Sequence, residues 1–183
     1  MKQKIKEIHK KDIPELFQKI ETGLAKKNKK LEIIVLGGLA ILLQDFRDRV
    51  TFDIDIAANK DAKTFATICY KLGIDVDIIT VASTVDIVHA ETIKQYSGKF
   101  LTVNSIMPED LIKLKLERFY KQDPEDIYAI IEKTNLSYEN FKRLVQEMLP
   151  NFIGNPQILI LSAQEVVERK YLQYIKDFQE NVK

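Results

Sequence analysis

Residues 37–56 read "GGLAILLQDFRDRVTFDIDI", and the closing "TFDIDI" alternates polar and apolar positions as a strand does. On such a strand Phe52, Ile54 and Ile56 are expected to face the core, while Thr51, Asp53 and Asp55 share the opposite face. The two carboxylates would then stand about 6 to 7 Å apart at Cα and repel, and Asp is a poor strand former. A divalent cation compensates such a pair. Two converging carboxylates hold one Mg²⁺, or two ions with a third acid, as phosphoryl and nucleotidyl transfer require. The simpler reading is the wet face of a sheet, where acids are common.

Working outward, "GIDVDIIT" (73–80) repeats the alternation and supplies the third acid. Ile74, Val76 and Ile78 share one face and Asp75 and Asp77 the other, so alternation does not separate the two aspartates. Asp77 is grouped here with Asp53 and Asp55, as metal ligand and as general base for an attacking hydroxyl. Two solvated acids near a strand start are the plain alternative. Upstream, "LEIIVL" (31–36) is a short β-branched run that stops at Gly37-Gly38 and feeds a helix-length segment. Glycines between strand and helix expose backbone N–H groups and let a phosphate approach closely, although any tight turn also favours glycine.

The remaining elements follow the same periodicities. "DIPELFQKIETGLAKKN" opens as a helix, with Asp12 as cap, Pro14 in the first turn and Glu15 in capping-box spacing. "DAKTFATICYKLG" reads as a helix ended by Gly73, "KFLTVNSI" as a fourth strand, and "ETIKQYSG" carries no clear period. From Pro108 onward four segments are helix-like, the last, "SAQEVVERKYLQYIKDFQ", with Ser162 and Glu165 in capping-box spacing. The boundary falls near residue 105.

Composition narrows the class. The 183 residues are 45% hydrophobic, enough for a real core. The "MKQKIKEIHKKD" start has no apolar stretch of a signal peptide, and no long uncharged apolar run occurs, so a cytoplasmic, non-membrane protein is expected. With Cys69 the sole cysteine and only His9 and His89 beside it, neither an intramolecular disulfide nor a Cys/His zinc site is expected. Net charge is only +1, yet residues 1–30 hold ten lysines against four acids. That excess attracts an RNA backbone, or is simply a solvated helix with a basic start.

Gly-Gly, a helix, "RVTFDID" and a later strand acid together resemble the nucleotidyltransferase superfamily pattern of hG[GS], a spacer, [DE]h[DE] and h[DE]h. The downstream "PEDLIKLKLERFYKQDPEDIYAI" is similar to the AbiEii-like branch, which includes toxins of type IV toxin–antitoxin systems. The resemblance spans roughly residues 31–131. It implies an α/β (α+β) fold: a nucleotidyltransferase-like small mixed sheet with helices over residues 1–105, then a C-terminal helical bundle, 106–183, completing the active-site cleft. It also implies Mg²⁺-dependent transfer of a nucleoside monophosphate from an NTP to an acceptor, with tRNA or other RNA favoured and a protein or small molecule open. An antitoxin protein is an implied partner. Gly38 stands where many relatives have Ser, and Gln122 where AbiEii-like toxins often carry Arg.

The helix from Pro108 adds a second group. At about 100° per residue, Lys115 falls among Leu111, Ile112, Leu116 and Phe119, whereas Lys113 and Glu117 fall where charges are expected. A lysine on the core face requires a partner or a ligand, or else snorkels to water. The resemblance makes it a catalytic residue that contacts the triphosphate, with Gly37 and Gly38 and with Arg49 and Thr51 before the paired aspartates. Arg118 borders the same arc. Asp123 and Asp126 read as helix-start acids, and the resemblance places them as supporting residues. Two other classes stay open: a catalytically degenerate nucleotide- or partner-binding module, and a helical interaction module after Pro108.

Overall fold

The computed structural model describes residues 7–87, 89–119 and 123–182. Lys2, Lys4 and Lys6 of the basic start, and Gln122, lie outside the described residues. The chain divides into two compact units: one holds the residues up to 81 together with 87–107, the other holds 82–86 together with 108–183.

The first unit is built on a mixed five-stranded sheet. Its elements are α1 (Ile13–Ala25), β1 (Leu31–Val35), α2 (Gly37–Leu43), β2 (Asp53–Ala57), α3 (Ala62–Lys71), β3 (Asp75–Ile79), β4 (Thr92–Ser97) and β5 (Leu101–Ile106). The strand order is β3-β2-β1-β5-β4. β2 pairs parallel with β3 and β1 parallel with β5, while β1–β2 and β4–β5 are antiparallel. Ile33, Val35, Ile54, Ile56 and Val103 are fully buried, with Leu39 and Ile41 of α2 and Phe65 of α3. The α+β class expected from the sequence is the one observed.

Three local readings differ. β2 begins at Asp53, so Phe52 sits in a bend before the strand and is 51% exposed instead of facing the core. Strand alternation has no hold on a residue outside the ladder. β4 falls in "ETIKQYSG", where no period was readable, because an edge strand with one wet face needs few apolar residues. Its hairpin with β5 is fastened from α1: Glu21 Oε1 accepts from the N–H groups of Phe100 (2.9 Å) and Leu101 (2.7 Å). Phe17 also packs on Tyr96 with ring centroids 5.0 Å apart. Finally, α1 is entered through a 3₁₀ turn, Lys10–Asp12, and Asp12 makes no side-chain cap.

The second unit contains α4 (Pro108–Arg118), α5 (Asp123–Thr134), α6 (Tyr138–Met148), α7 (Pro156–Lys170) and α8 (Ile175–Asn181). Leu111, Ile112, Ile127, Ile130, Phe141, Val145, Leu159 and Val166 form its buried interior. Ser162 does not open a helix. α7 starts at Pro156, six positions earlier, capped by Asn155, whose side-chain Oδ1 accepts from Gln157 N at 3.0 Å. Ser162 is buried mid-helix and donates back to Ile158 O at 2.8 Å. Among the described residues no helix is long and apolar enough to cross a membrane.

Candidate metal and active site

β2 and β3 run parallel with Asp53 opposite Asp75 and Asp55 opposite Asp77. All four aspartates therefore share one sheet face, since positions two apart on a strand point the same way. Asp53, Asp55 and Asp77 converge: each offers a carboxylate oxygen, and those atoms lie within 4.8 Å of one another. Asp75 stands outside this trio. Three hard oxygen donors at that spacing suit Mg²⁺ or a similar hard divalent ion, so the donor set fits the cofactor expected from the sequence.

The glycine turn explains how the trio is accommodated. Gly37 adopts φ of 53°, a region that favours glycine, and a β-carbon there would lie 1.8 Å from Asp55 Oδ2. A β-carbon on Gly38 would lie 2.4 Å from Thr51 Oγ1 and 2.9 Å from Thr51 Cβ. Both glycines thus leave space that the strand side chains fill. The absence of serine at position 38 has its physical reason in Thr51. Thr51 is itself buried and donates to Asp53 Oδ1 at 3.2 Å, orienting one of the three carboxylates. Its main chain bridges to Ile8, which anchors the turn into β2. Arg49 Nη2 would be 3.5 Å from the Gly38 β-carbon, so this guanidinium lies beside the glycine turn.

Lys115 is built differently. Its side chain is buried in the second unit, where Nζ donates to Asp123 Oδ1 at 2.9 Å and Asp126 Oδ2 at 2.7 Å. Arg118 reaches the same Asp123 with Nε to Oδ2 at 2.9 Å and Nη2 to Oδ1 at 3.1 Å. Two of the ammonium's three donors are thereby committed to carboxylates of its own helical unit. Burial by itself pushes the Asp123 carboxyl up, but the charges and hydrogen bonds of Lys115 and Arg118 outweigh it and hold the group below its ordinary value. The four residues singled out from this region in the sequence form one cluster.

Two contacts were not foreseen from sequence. Glu117 Oε1 accepts from Ser83 Oγ (2.9 Å), Thr84 N (2.6 Å) and the Thr84 hydroxyl, which pins the segment after β3 to α4. Phe52 and Tyr70 line a cavity with Asp53, Asp75 and Asp77. A strand-start aromatic beside an acid was the available signal for Phe52, and strict alternation concealed it.

No curated protein and no solved structure matches the chain. A family model described as nucleotidyltransferase of unknown function (DUF6036) matches residues 11–179. Its match takes in the glycine turn, the three converging aspartates and the Lys115 cluster, and by that near-complete span the chain belongs to this nucleotidyltransferase family.

Proposed function

We propose that the protein transfers a nucleoside monophosphate from an NTP to a hydroxyl of an RNA acceptor, tRNA first among them, with Mg²⁺ held by Asp53, Asp55 and Asp77. The observation that carries this reading is the convergence of those three carboxylates on β2 and β3 in a member of a nucleotidyltransferase family. When bound, the cation neutralises the trio and offsets charge developing on the phosphates.

The chain's own residues supply the rest. Thr51 fixes Asp53, and the bare Gly37 gives Asp55 its place. In this reading the Gly37 and Gly38 backbone and the Arg49 guanidinium receive the phosphates. Asp77 takes the proton of the acceptor hydroxyl as its oxygen bonds to the α-phosphorus. The bond from that phosphorus to the bridging oxygen breaks, and pyrophosphate leaves. Lys115, Asp123, Asp126 and Arg118 act as positioning residues that lock α4 to α5. The lysine-rich residues 1–30 favour RNA over a small acceptor. The resemblance of the helix patterns around Lys115 and around Asp123 and Asp126 to the AbiEii-like branch favours a toxin-type role with an antitoxin partner, and the sequence's lack of a long uncharged apolar run favours the cytoplasm.

The test is calorimetric titration of ATP, GTP, CTP and UTP with and without Mg²⁺, into the wild type and a folded Asp53→Ala/Asp55→Ala variant. Mg²⁺-dependent binding that the variant loses, followed by labelled NMP appearing on tRNA, is the expected result. Binding of no NTP by the wild type, alone or with tRNA present, would overturn it in favour of a partner-binding module.

A further inference from the structure

Beside the aspartate trio, the first unit has an open cavity of about 550 Å³. Ile74, Val76 and Ala66 are among its apolar lining residues. Phe52 and Tyr70 line it as well, although they are 51% and 65% exposed. Large aromatic surface left in water gains most from a flat partner, and base–aromatic stacking is worth about 1–3 kcal/mol per base. Asp53 and Asp77 belong both to this cavity and to the metal-binding trio, so whatever occupies it lies next to the transferred phosphate.

Asp75 sets the chemistry of the ligand edge. It is exposed, lines the same cavity, and has no hydrogen-bond or ion-pair partner among the described residues. A carboxylate only accepts, so it demands N–H donors and repels phosphate. Guanine alone among the four RNA bases presents two adjacent donors, N1–H and the N2 amino group, spaced for the two oxygens of a carboxylate. Adenine and cytosine place an acceptor nitrogen beside the amino group, and uracil flanks its single N–H with carbonyls. Either arrangement sets lone pairs against Asp75.

We propose that the Phe52–Tyr70–Asp75 cavity is a nucleobase subsite that prefers guanine. This rests on the nucleotidyltransferase reading and deepens it. The guanine belongs either to the incoming nucleotide or to a residue of the acceptor strand.

GMP and IMP differ only in the N2 amino group, so their binding to the full chain in EDTA isolates the Asp75 contact from the metal. By NMR titration, GMP is expected to bind about tenfold more tightly than IMP. Asp75→Ala should make the two equal, and Phe52→Leu or Tyr70→Leu should weaken both about tenfold; these side chains are exposed, so folding is retained. Adding GTP with Mg²⁺ then identifies the source: displaced GMP marks the incoming nucleotide's base, and GMP that stays bound marks the acceptor's. Equal affinity for GMP and IMP, no saturable binding of GMP, or a GMP preference that survives Asp75→Ala would overturn the proposal. An Asp55→Ala variant, which removes a carboxylate of the trio that does not line the cavity, keeps the GMP preference while losing Mg²⁺-dependent NTP binding, so failure of the metal site and failure of the base subsite read out separately.

Discussion

Gly37 and Gly38 are where single atoms decide whether the site exists. Gly37→Ala would drive a β-carbon into the Asp55 carboxylate at a backbone angle that already disfavours alanine. A loss of about 2 kcal/mol or more is expected in urea unfolding, with weakened Mg²⁺ binding in calorimetry. Gly38→Ser should also destabilise, and Thr51→Ala should return part of the loss by removing the nearer of the two clashing atoms. Asp123 gives a pH signature. Its folded value lies below the unfolded one, so its contribution is complete above the unfolded value of about 3.9 and is lost as pH falls through the lower folded value. Urea titrations below about pH 4 should therefore show a steeper fall in stability for the wild type than for Asp123→Asn.

At the scale of elements, α4 carries two fastenings. Lys115 joins it to α5 through Asp123 and Asp126, and Lys115→Met would remove the cation that these two buried carboxylates share while Arg118 still holds Asp123, at a cost of about 3–5 kcal/mol in chemical unfolding. Glu117 ties down the Ser83–Thr84 turn, and Glu117→Ala should raise amide exchange at Thr84 and its neighbours while leaving that of the β1–β5 ladder unchanged. Most elements were legible beforehand because their apolar positions recur at the period of a strand or a helix. β4 was not, since its stability comes from pairing with β5 and from the Glu21 anchor rather than from its own pattern. The start of α7 was misplaced by the capping-box spacing at Ser162, and the structure puts it at Asn155 and Pro156, a cap followed by a first-turn proline.

On the scale of the whole chain, the first of the two compact units carries its own reporter. Cys69 is buried in the first, and burial pushes its thiol up to about 12, so almost no thiolate is present at neutral pH. Labelling by a thiol reagent should be negligible in the native protein and rise with urea as the first unit opens, which checks every variant above that alters the glycine turn. The sequence by itself determined the mixed class, the three strands around the glycine turn, the placement of each aspartate pair on one face of its own strand, and the anomaly of Lys115. Those features are local, fixed by side-chain period and by the cost of burying charge. Only the tertiary structure decided that Asp77 rather than Asp75 converges with Asp53 and Asp55, that Asp123 and Asp126 hold Lys115, and that Phe52 turns outward. Alternation assigns a face but not a neighbour. Distances across strands depend on register, and a lysine's partner depends on how two helices pack; both are set by contacts between residues far apart in the chain.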